Sequence, residues 1–336
     1  MSGAEFMKIQ RSYTDVPEKF FGSVLAIGNF DGVHLGHQAV IAAAQAKADE
    51  LGKPAGVLTF EPHSREFFAP DAPPFRLSTL ETRAAHLNWL GVDIMAALKF
   101  DREFSQKSAE DFVKDVLVDG FKVSHVVVGY DFIFGHKRQG TTVILTELGK
   151  KYGFGVSVIE PVGEQTLIFS STAIRECLAD GDPTKAATLL GHWWEIEGEV
   201  IRGDQRGRTI GFPTANIPIT HYHQPKLGAY AVRVGLTAED GTTSWVAAVA
   251  NYGKRPTFDK KDLILEVHLL DFDQDLYDKH IRVAFVDFLR PEMKFSGIEE
   301  LQTQISKDVS TAIETLERYE MRQNKYADKK LSRSQH

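Results

Sequence analysis

Five short apolar, β-branched runs alternate with stretches long enough for helices, and this alternation is what most constrains the fold. The runs are 23–28 (SVLAIG), 55–60 (AGVLTF), 94–99 (IMAALK), 124–129 (SHVVVG) and 155–160 (GVSVIE). Helical spacing fits about 36–51, 79–91, 108–119 and 141–152. Strands joined through helices pair in parallel, and a parallel sheet carries helices on both faces. Near-continuous apolar runs suit strands covered on both sides. Ser78 with Glu81 has capping-box spacing, and Ser108 with Asp111 a weaker version.

The pattern changes near residue 188. Asp182-Pro183 opens a short helix that Gly191 ends. Strand-like runs follow at 196–203, 229–236, 244–251, 263–270 and 280–288, with turn-rich segments between them. They predict a small antiparallel barrel or sandwich. Ser296 and Glu299 then cap a long helix whose stripe is Ile298, Leu301, Ile305, Val309, Ala312, Leu316 and Tyr319. That stripe is expected to pack on the barrel, and polar residues 322–336 to fray. The expectation is two domains, 1–188 and 189–336, consistent with a length of 336 residues.

Composition narrows the function. A net charge of −7 argues against a general nucleic-acid binder. The single cysteine, Cys177, excludes an intramolecular disulfide framework. No apolar run approaches the length of a membrane span, and MSGAEFMKIQRSYTD has no apolar core of a secretory signal. A cytoplasmic protein acting on small molecules is the expectation, with no membrane or nucleic-acid partner.

In SVLAIGNFDGVHLGHQ a strand ends at Gly28, a turn with Gly32 and Gly36 follows, and a helix begins near His37. Helix N-termini hold phosphate through unpaired N–H groups. His34 and His37 lie at the same point and can stabilise growing negative charge. A zinc site built with Asp31, and a turn with two incidental histidines, are the alternatives. Ligands bind outside the carboxyl ends of parallel strands, so Glu61-Pro62-His63, Gly129-Tyr130-Asp131-Phe132 and Ser170-Ser171-Thr172-Ala173-Ile174-Arg175 are expected at one edge.

The barrel half carries Gly203-Asp204-Gln205-Arg206-Gly207-Arg208-Thr209-Ile210-Gly211-Phe212-Pro213-Thr214-Ala215-Asn216. Closely spaced glycines and arginines suit a loop wrapping phosphates. Thr214 and Asn216 share one face of an extended segment and offer the hard oxygens that suit Mg²⁺. Glu266 is an acid inside an apolar strand. A carboxylate withdrawn from water can act as a base toward a hydroxyl. The alternative is a solvated outer face bearing Glu266 and His268.

Gly28-Asn29-Phe30-Asp31-Gly32-Val33-His34-Leu35-Gly36-His37 resembles the His-x-Gly-His motif of the nucleotidylyltransferase superfamily. With Gly129-Tyr130-Asp131-Phe132 and Ser170–Arg175, it is similar to the FAD synthetase module of bacterial bifunctional riboflavin kinase/FAD synthetases. Gly207–Asn216, Asn251-Tyr252-Gly253-Lys254-Arg255-Pro256-Thr257-Phe258, Leu265–Phe272 and Leu289–Phe295 are similar to riboflavin kinase signatures. The resemblance implies a Rossmann-like N-terminal domain and a six-stranded Greek-key barrel. It implies two reactions: riboflavin and ATP give FMN, then FMN and ATP give FAD and pyrophosphate, with Mg²⁺ at both sites.

It also implies roles. His34 and His37 would act on ATP phosphates, with Gly28, Asn29, Phe30, Asp31, Gly36, Ser170, Ser171, Thr172 and Arg175 around the nucleotide. His63, Asp131 and Phe132 would meet the flavin. In the kinase, Glu266 would be the base. Gly207, Arg208, Gly211, Phe212, Pro213 and Thr214 would hold ATP, Thr214 and Asn216 the Mg²⁺, and Arg290 the flavin. In Leu276-Tyr277-Asp278, Asp stands where the family commonly has a turn glycine, so Asp278 is expected in a left-handed conformation. A kinase paired with a different nucleotidylyl acceptor, and a non-catalytic flavin-binding regulator, are the remaining alternatives.

Overall fold

The five apolar runs form neighbouring strands of one parallel sheet. The computed structural model describes residues 9–164, 167–203, 206–238, 241–254 and 263–333. The chain divides into two compact units, Met1–Pro73 with Ser78–Ser171, and Pro74–Leu77 with Thr172–His336.

In the first unit the strands are β1 (Ile9–Gln10), β2 (Val24–Ile27), β3 (Ala55–Glu61), β4 (Ile94–Lys99), β5 (His125–Gly129) and β6 (Gly155–Ile159). Their order is β1-β4-β3-β2-β5-β6, with every pair parallel. A two-stranded ribbon, β7 (Gly163–Glu164) and β8 (Leu167–Ile168), follows. The helices are α1 (Leu35–Leu51), α2 (Ser64–Phe68), α3 (Leu80–Trp89), α4 (Arg102–Ser105), α5 (Ala109–Asp111) and α6 (Thr142–Tyr152). The expected helix at 108–119 divides, because α5 continues as a π-helix over Phe112–Gly120.

Strand alternation sends successive residues to opposite faces. Leu25 and Ile27 pack with Phe112, Val116 and Leu117. Val24 and Ala26 pack with Val40, Ile41 and Leu87. Both faces are therefore buried, as the continuous apolar runs require. One capping assignment is corrected. Thr79, not Ser78, caps α3, accepting from Thr82 N–H. Ser78 is engaged elsewhere.

The second unit contains α7 (Ser171–Asp180), whose first residue lies in the first unit, and α8 (Pro183–Leu190). Then come β9 (Trp194–Glu199), α9 (Arg206–Thr209), β10 (Ala215–Pro218), β11 (Gly228–Thr237), β12 (Thr243–Lys254), β13 (Leu263–Leu269), β14 (His280–Pro291) and α10 (Ile298–Arg333). The antiparallel order β10-β13-β12-β11-β14-β9 closes through a bridge between Ile201 and Asn216. β10 is the strand absent from the sequence expectation, since it is only four residues long, begins two residues after Pro213 and ends in Pro218. Tyr230, Tyr252, Leu265, Val267 and Phe285 are buried. Ala312 and Leu316 of α10 pack on Ala231, Val249 and Val286 of the sheet's other face.

Two expectations for α10 change. The Ser296 N–H and hydroxyl pair with Glu300 rather than Glu299. The helical backbone also continues through Arg333 instead of fraying at 322. Asp278 has the expected left-handed backbone, with φ +61°.

The short stretch Pro74–Leu77 belongs to this second unit. Its carbonyls accept from Arg175 Nε (Phe75 O, 2.6 Å), His223 N–H (Arg76 O, 2.7 Å) and Trp194 Nε1 (Leu77 O, 2.9 Å).

Candidate active sites

The sheet of the first unit changes direction at β2. From there the chain moves through β3 to β4, then returns to β5 on the other side. Such a switch point is where open parallel sheets bind ligands. The Asn29–Val33 turn leaves β2 there under backbone strain. Phe30, Gly32 and Val33 all have positive φ, at +51°, +81° and +44°. A β-branched residue in this region is a true outlier, and such strain persists only where surroundings impose it.

Those surroundings are specific. The Asp31 carboxylate accepts from Ser78 N–H at 3.0 Å and from its hydroxyl at 3.2 Å. Gly32 N–H donates to Ser78 Oγ at 2.9 Å, and Ser171 Oγ donates to Asp31 O at 3.0 Å. Buried Arg83 donates to Asn29 O at 2.9 Å, and Thr59 Oγ1 donates to the same oxygen at 3.2 Å. Asp31 thus holds the turn with its carboxylate.

His34 is the N-cap of α1, its Nδ1 accepting from His37 N–H at 3.2 Å. An accepting Nδ1 leaves the neutral ring's proton on Nε2. The two imidazoles stack with centroids 3.5 Å apart. Gly36 is required between them: a Cβ there would lie 3.0 Å from Phe169 O and 3.1 Å from the His34 ring. The structure therefore brings His34, His37, Gly36, Asn29, Phe30, Asp31 and Ser171 together, with Ser170 next in chain. Gly28 lies under the Phe30 ring, where a Cβ would approach to 3.3 Å. Thr172 and Arg175 fall in the second unit.

Along the same sheet edge, His63 caps α2 through Nδ1, accepting from Arg65 N–H at 3.0 Å. Asp131 is exposed after β5. Phe132 stacks on Phe134, with centroids 5.4 Å apart. Phe60, Phe67, Phe68, Phe100 and Phe104 form linked edge-to-face and tilted ring contacts beyond β3 and β4. This is an aromatic surface suited to a flat ring.

In the barrel, directly opposed residues share a face. The register aligns Asn216, Glu266, Asn251, Ala229 and Arg290 in one row across five strands. Leu265 and Val267 point inward and are fully buried, so Glu266 and His268 lie on the outer face. That much agrees with the solvated alternative. The face is nevertheless half covered, for Glu266 and His268 are only partly exposed. His268 Nδ1 pairs with Pro213 O at 2.8 Å, and its ring meets Phe212 edge-on.

The loop before β10 is shaped by close approach. A Cβ on Gly207 would lie 2.2 Å from Phe212 O, and one on Gly203 2.5 Å from the Asn216 amide nitrogen. Gly211 needs φ +87°. Gln302 of α10 donates to Ile210 O at 3.2 Å. Arg290 is clasped by Asp308, Nε to Oδ1 at 2.9 Å and the terminal nitrogen to Oδ2 at 2.7 Å. Asp204, Gln205 and the motif residues 255–258 lie outside the described residues, as does the Arg208 side chain.

Among the described residues no cluster of three or more His, Cys, Asp or Glu side chains is arranged to hold a metal. Thr214 and the buried Asn216 supply neutral oxygens. That donor set fits Mg²⁺ when substrate phosphates complete the shell, not a cation bound by protein alone.

The comparisons follow the two folds. Residues 16–173 match the FAD synthetase family model and residues 190–316 the riboflavin kinase model. The bifunctional riboflavin kinase/FMN adenylyltransferase of Escherichia coli K12 is 42% identical over 294 residues, covering 87% of this chain and 92% of its own. The chain belongs to the bifunctional riboflavin kinase/FMN adenylyltransferase family.

Its Haemophilus influenzae relative is 42% identical, covering 91% of this chain and 98% of its own. The Bacillus subtilis relative is 39% identical, covering 89% and 94%. A crystal structure from Streptococcus pneumoniae, described as a macrolide-efflux protein, is 29% identical and superposes with a TM-score of 0.80. It covers 92% of this chain and 99% of that one. Among the described residues here, no helix is long and apolar enough to cross a membrane.

Sequence reasoning missed Thr59, Arg83 and Asp308 around these family sites, and read Ser78 only as a helix cap and His268 only as a neighbour of Glu266. Arg83 had a signal: it falls between Leu80 and Leu87, on the core-facing side of α3.

Proposed function

We infer that this chain makes both flavin cofactors. Riboflavin and ATP give FMN and ADP in the barrel, and FMN and a second ATP give FAD and pyrophosphate in the parallel-sheet unit. The observation that carries the reading is the agreement of two independent family models with two separate folds.

In the kinase reaction, Glu266 takes the proton of the ribityl hydroxyl as that oxygen attacks the γ-phosphorus, and ADP leaves. Its support is the row it shares with Asn216 and Asn251. Thr214 and Asn216 would hold Mg²⁺, which supplies charge neutralisation on the phosphates. Gly207, Arg208, Gly211, Phe212, Pro213 and Thr214 hold the ATP. Arg290, tied to Asp308 in the third turn of α10, stands at the flavin end.

In the adenylyl transfer the FMN phosphate oxygen attacks the α-phosphorus and pyrophosphate leaves. No protein nucleophile takes part, so positioning and charge stabilisation carry the rate. His34, whose Nε2 keeps a proton, and His37 donate to phosphate oxygens at the N-terminus of α1. Ser170 and Ser171 complete the nucleotide contacts within this unit. The aromatic surface around Phe132, with His63 and Asp131, receives the isoalloxazine. The functional modules are 1–188 and 189–336, in the cytoplasm.

The test is incubation with riboflavin, ATP and Mg²⁺, followed by chromatography. FMN is expected first and FAD second. Glu266→Ala should abolish FMN formation, at least ~100-fold, while sparing FMN-to-FAD conversion. His37→Ala should do the reverse. Loss of both activities in either folded variant would contradict the modular reading.

A further inference from the structure

Arg83 is a full guanidinium with only 1% of its surface exposed, on the core side of α3. Burying such a charge is costly unless its partners are well arranged. The partners lie at the carboxyl ends of β2 and β3. One terminal nitrogen donates to Asn29 O at 2.9 Å and to Thr59 Oγ1 at 3.2 Å. The other lies 3.6 Å from Glu61 Oε2. None of these atoms belongs to α3 itself, so the arginine ties the helix to the turn that follows β2.

A trans peptide directs its carbonyl and its N–H to opposite sides. Arg83 and Thr59 draw the Asn29 carbonyl inward. The N–H of Phe30, in the same peptide, therefore faces away from Arg83, toward the side on which Asn29 is exposed. The turn cannot relax into this geometry unaided, since Phe30 and Val33 are both left-handed. Glu61 balances the guanidinium charge, so what Arg83 supplies to the turn is the direction of the Asn29–Phe30 peptide.

We propose that Arg83 is a positioning residue for nucleotide binding in the adenylyl-transfer site. It sets the Asn29–Phe30 peptide so that a backbone N–H is presented to the triphosphate. This rests on the adenylyl-transfer reading given above.

Arg83→Met keeps the length without the charge, and Arg83→Lys keeps the charge but not the forked reach. Each is measured for the ATP and FMN KM of FAD formation, for pyrophosphate binding by titration calorimetry, and for riboflavin phosphorylation. The expected result for Arg83→Met is an ATP KM raised about 10- to 100-fold, the range lost with a charge-assisted hydrogen bond. Pyrophosphate binding should weaken in parallel, and the FMN KM and the kinase step should stay unchanged. Arg83→Lys should fall between Met and wild type. A purely structural role would lower the melting temperature and the active fraction but leave the ATP KM and pyrophosphate affinity of the folded molecules at wild-type values, and that overturns the proposal. If Arg83→Met does not fold, Arg83→Lys decides by the same two affinities. Wild-type protein that binds pyrophosphate yet forms no FAD would overturn the adenylyl-transfer reading instead, with the affinity comparison still judging Arg83.

Discussion

Asp287 sits on β14 opposite Ala231, on the barrel face that α10 covers. Burial pushes its carboxyl above the usual carboxylate range. Phe288 N–H and Arg318 act in the opposite direction, and Asp182 adds to the rise. The folded protein therefore holds this proton more tightly than the unfolded chain. Stability from this group is present below the unfolded value of about 4 and is lost as pH rises through the folded value. Asp287→Asn keeps an acceptor for the Phe288 N–H and removes the half-buried charge. The variant should melt at a higher temperature than wild type at pH 8, with the difference shrinking to nothing near pH 4. An unchanged difference across that range would assign the effect to packing.

At the scale of elements, the first turn of α1 and the segment around Phe169 approach so closely that a side chain cannot stand between them. Gly36→Ala places a methyl 3.0 Å from Phe169 O and 3.1 Å from the His34 ring. The carbonyl belongs to backbone, so the histidine stack must yield. The cost expected for such overpacking is ~1–3 kcal/mol, which exceeds the alanine's helical advantage of ~1 kcal/mol. FAD formation should fall at least ~10-fold by the same packing cost, while riboflavin phosphorylation stays intact. Chemical denaturation and the two assays read these effects separately. Elements of this kind were largely legible in the sequence. The strands at 55–61 and 94–99 follow directly from their apolar runs, and His34 through His37 mark the turn before α1. What was not legible is where hydroxyls and charges are spent. Ser78 has ideal capping spacing, yet Gly32 and Asp31 claim it from 46 and 47 residues away, so the cap passes to Thr79. β10 is hidden because its pairing with β13 supplies what four residues ending in a proline cannot show.

At the scale of the molecule, sequence order and structural membership part company at Pro74–Leu77. These residues lie early in the chain, yet their carbonyls satisfy donors of the second unit. Trp194 is the most demanding of them: its indole is 1% exposed, and its Nε1 has Leu77 O as acceptor at 2.9 Å. Arg175 Nε and His223 N–H depend on Phe75 and Arg76 in the same way. A chain of residues 172–336 would retain every barrel strand and lack these acceptors. Each buried donor left unpaired costs about 1–3 kcal/mol, a large share of the few kcal/mol that hold a domain folded. The isolated segment should therefore melt well below the kinase unit of the full chain. Adding a peptide spanning residues 72–79 should raise its melting temperature in a concentration-dependent manner, because a ligand that binds only the folded state stabilises it. Equal stability of segment and full chain, with no response to the peptide, would show that water replaces these three carbonyls at no cost.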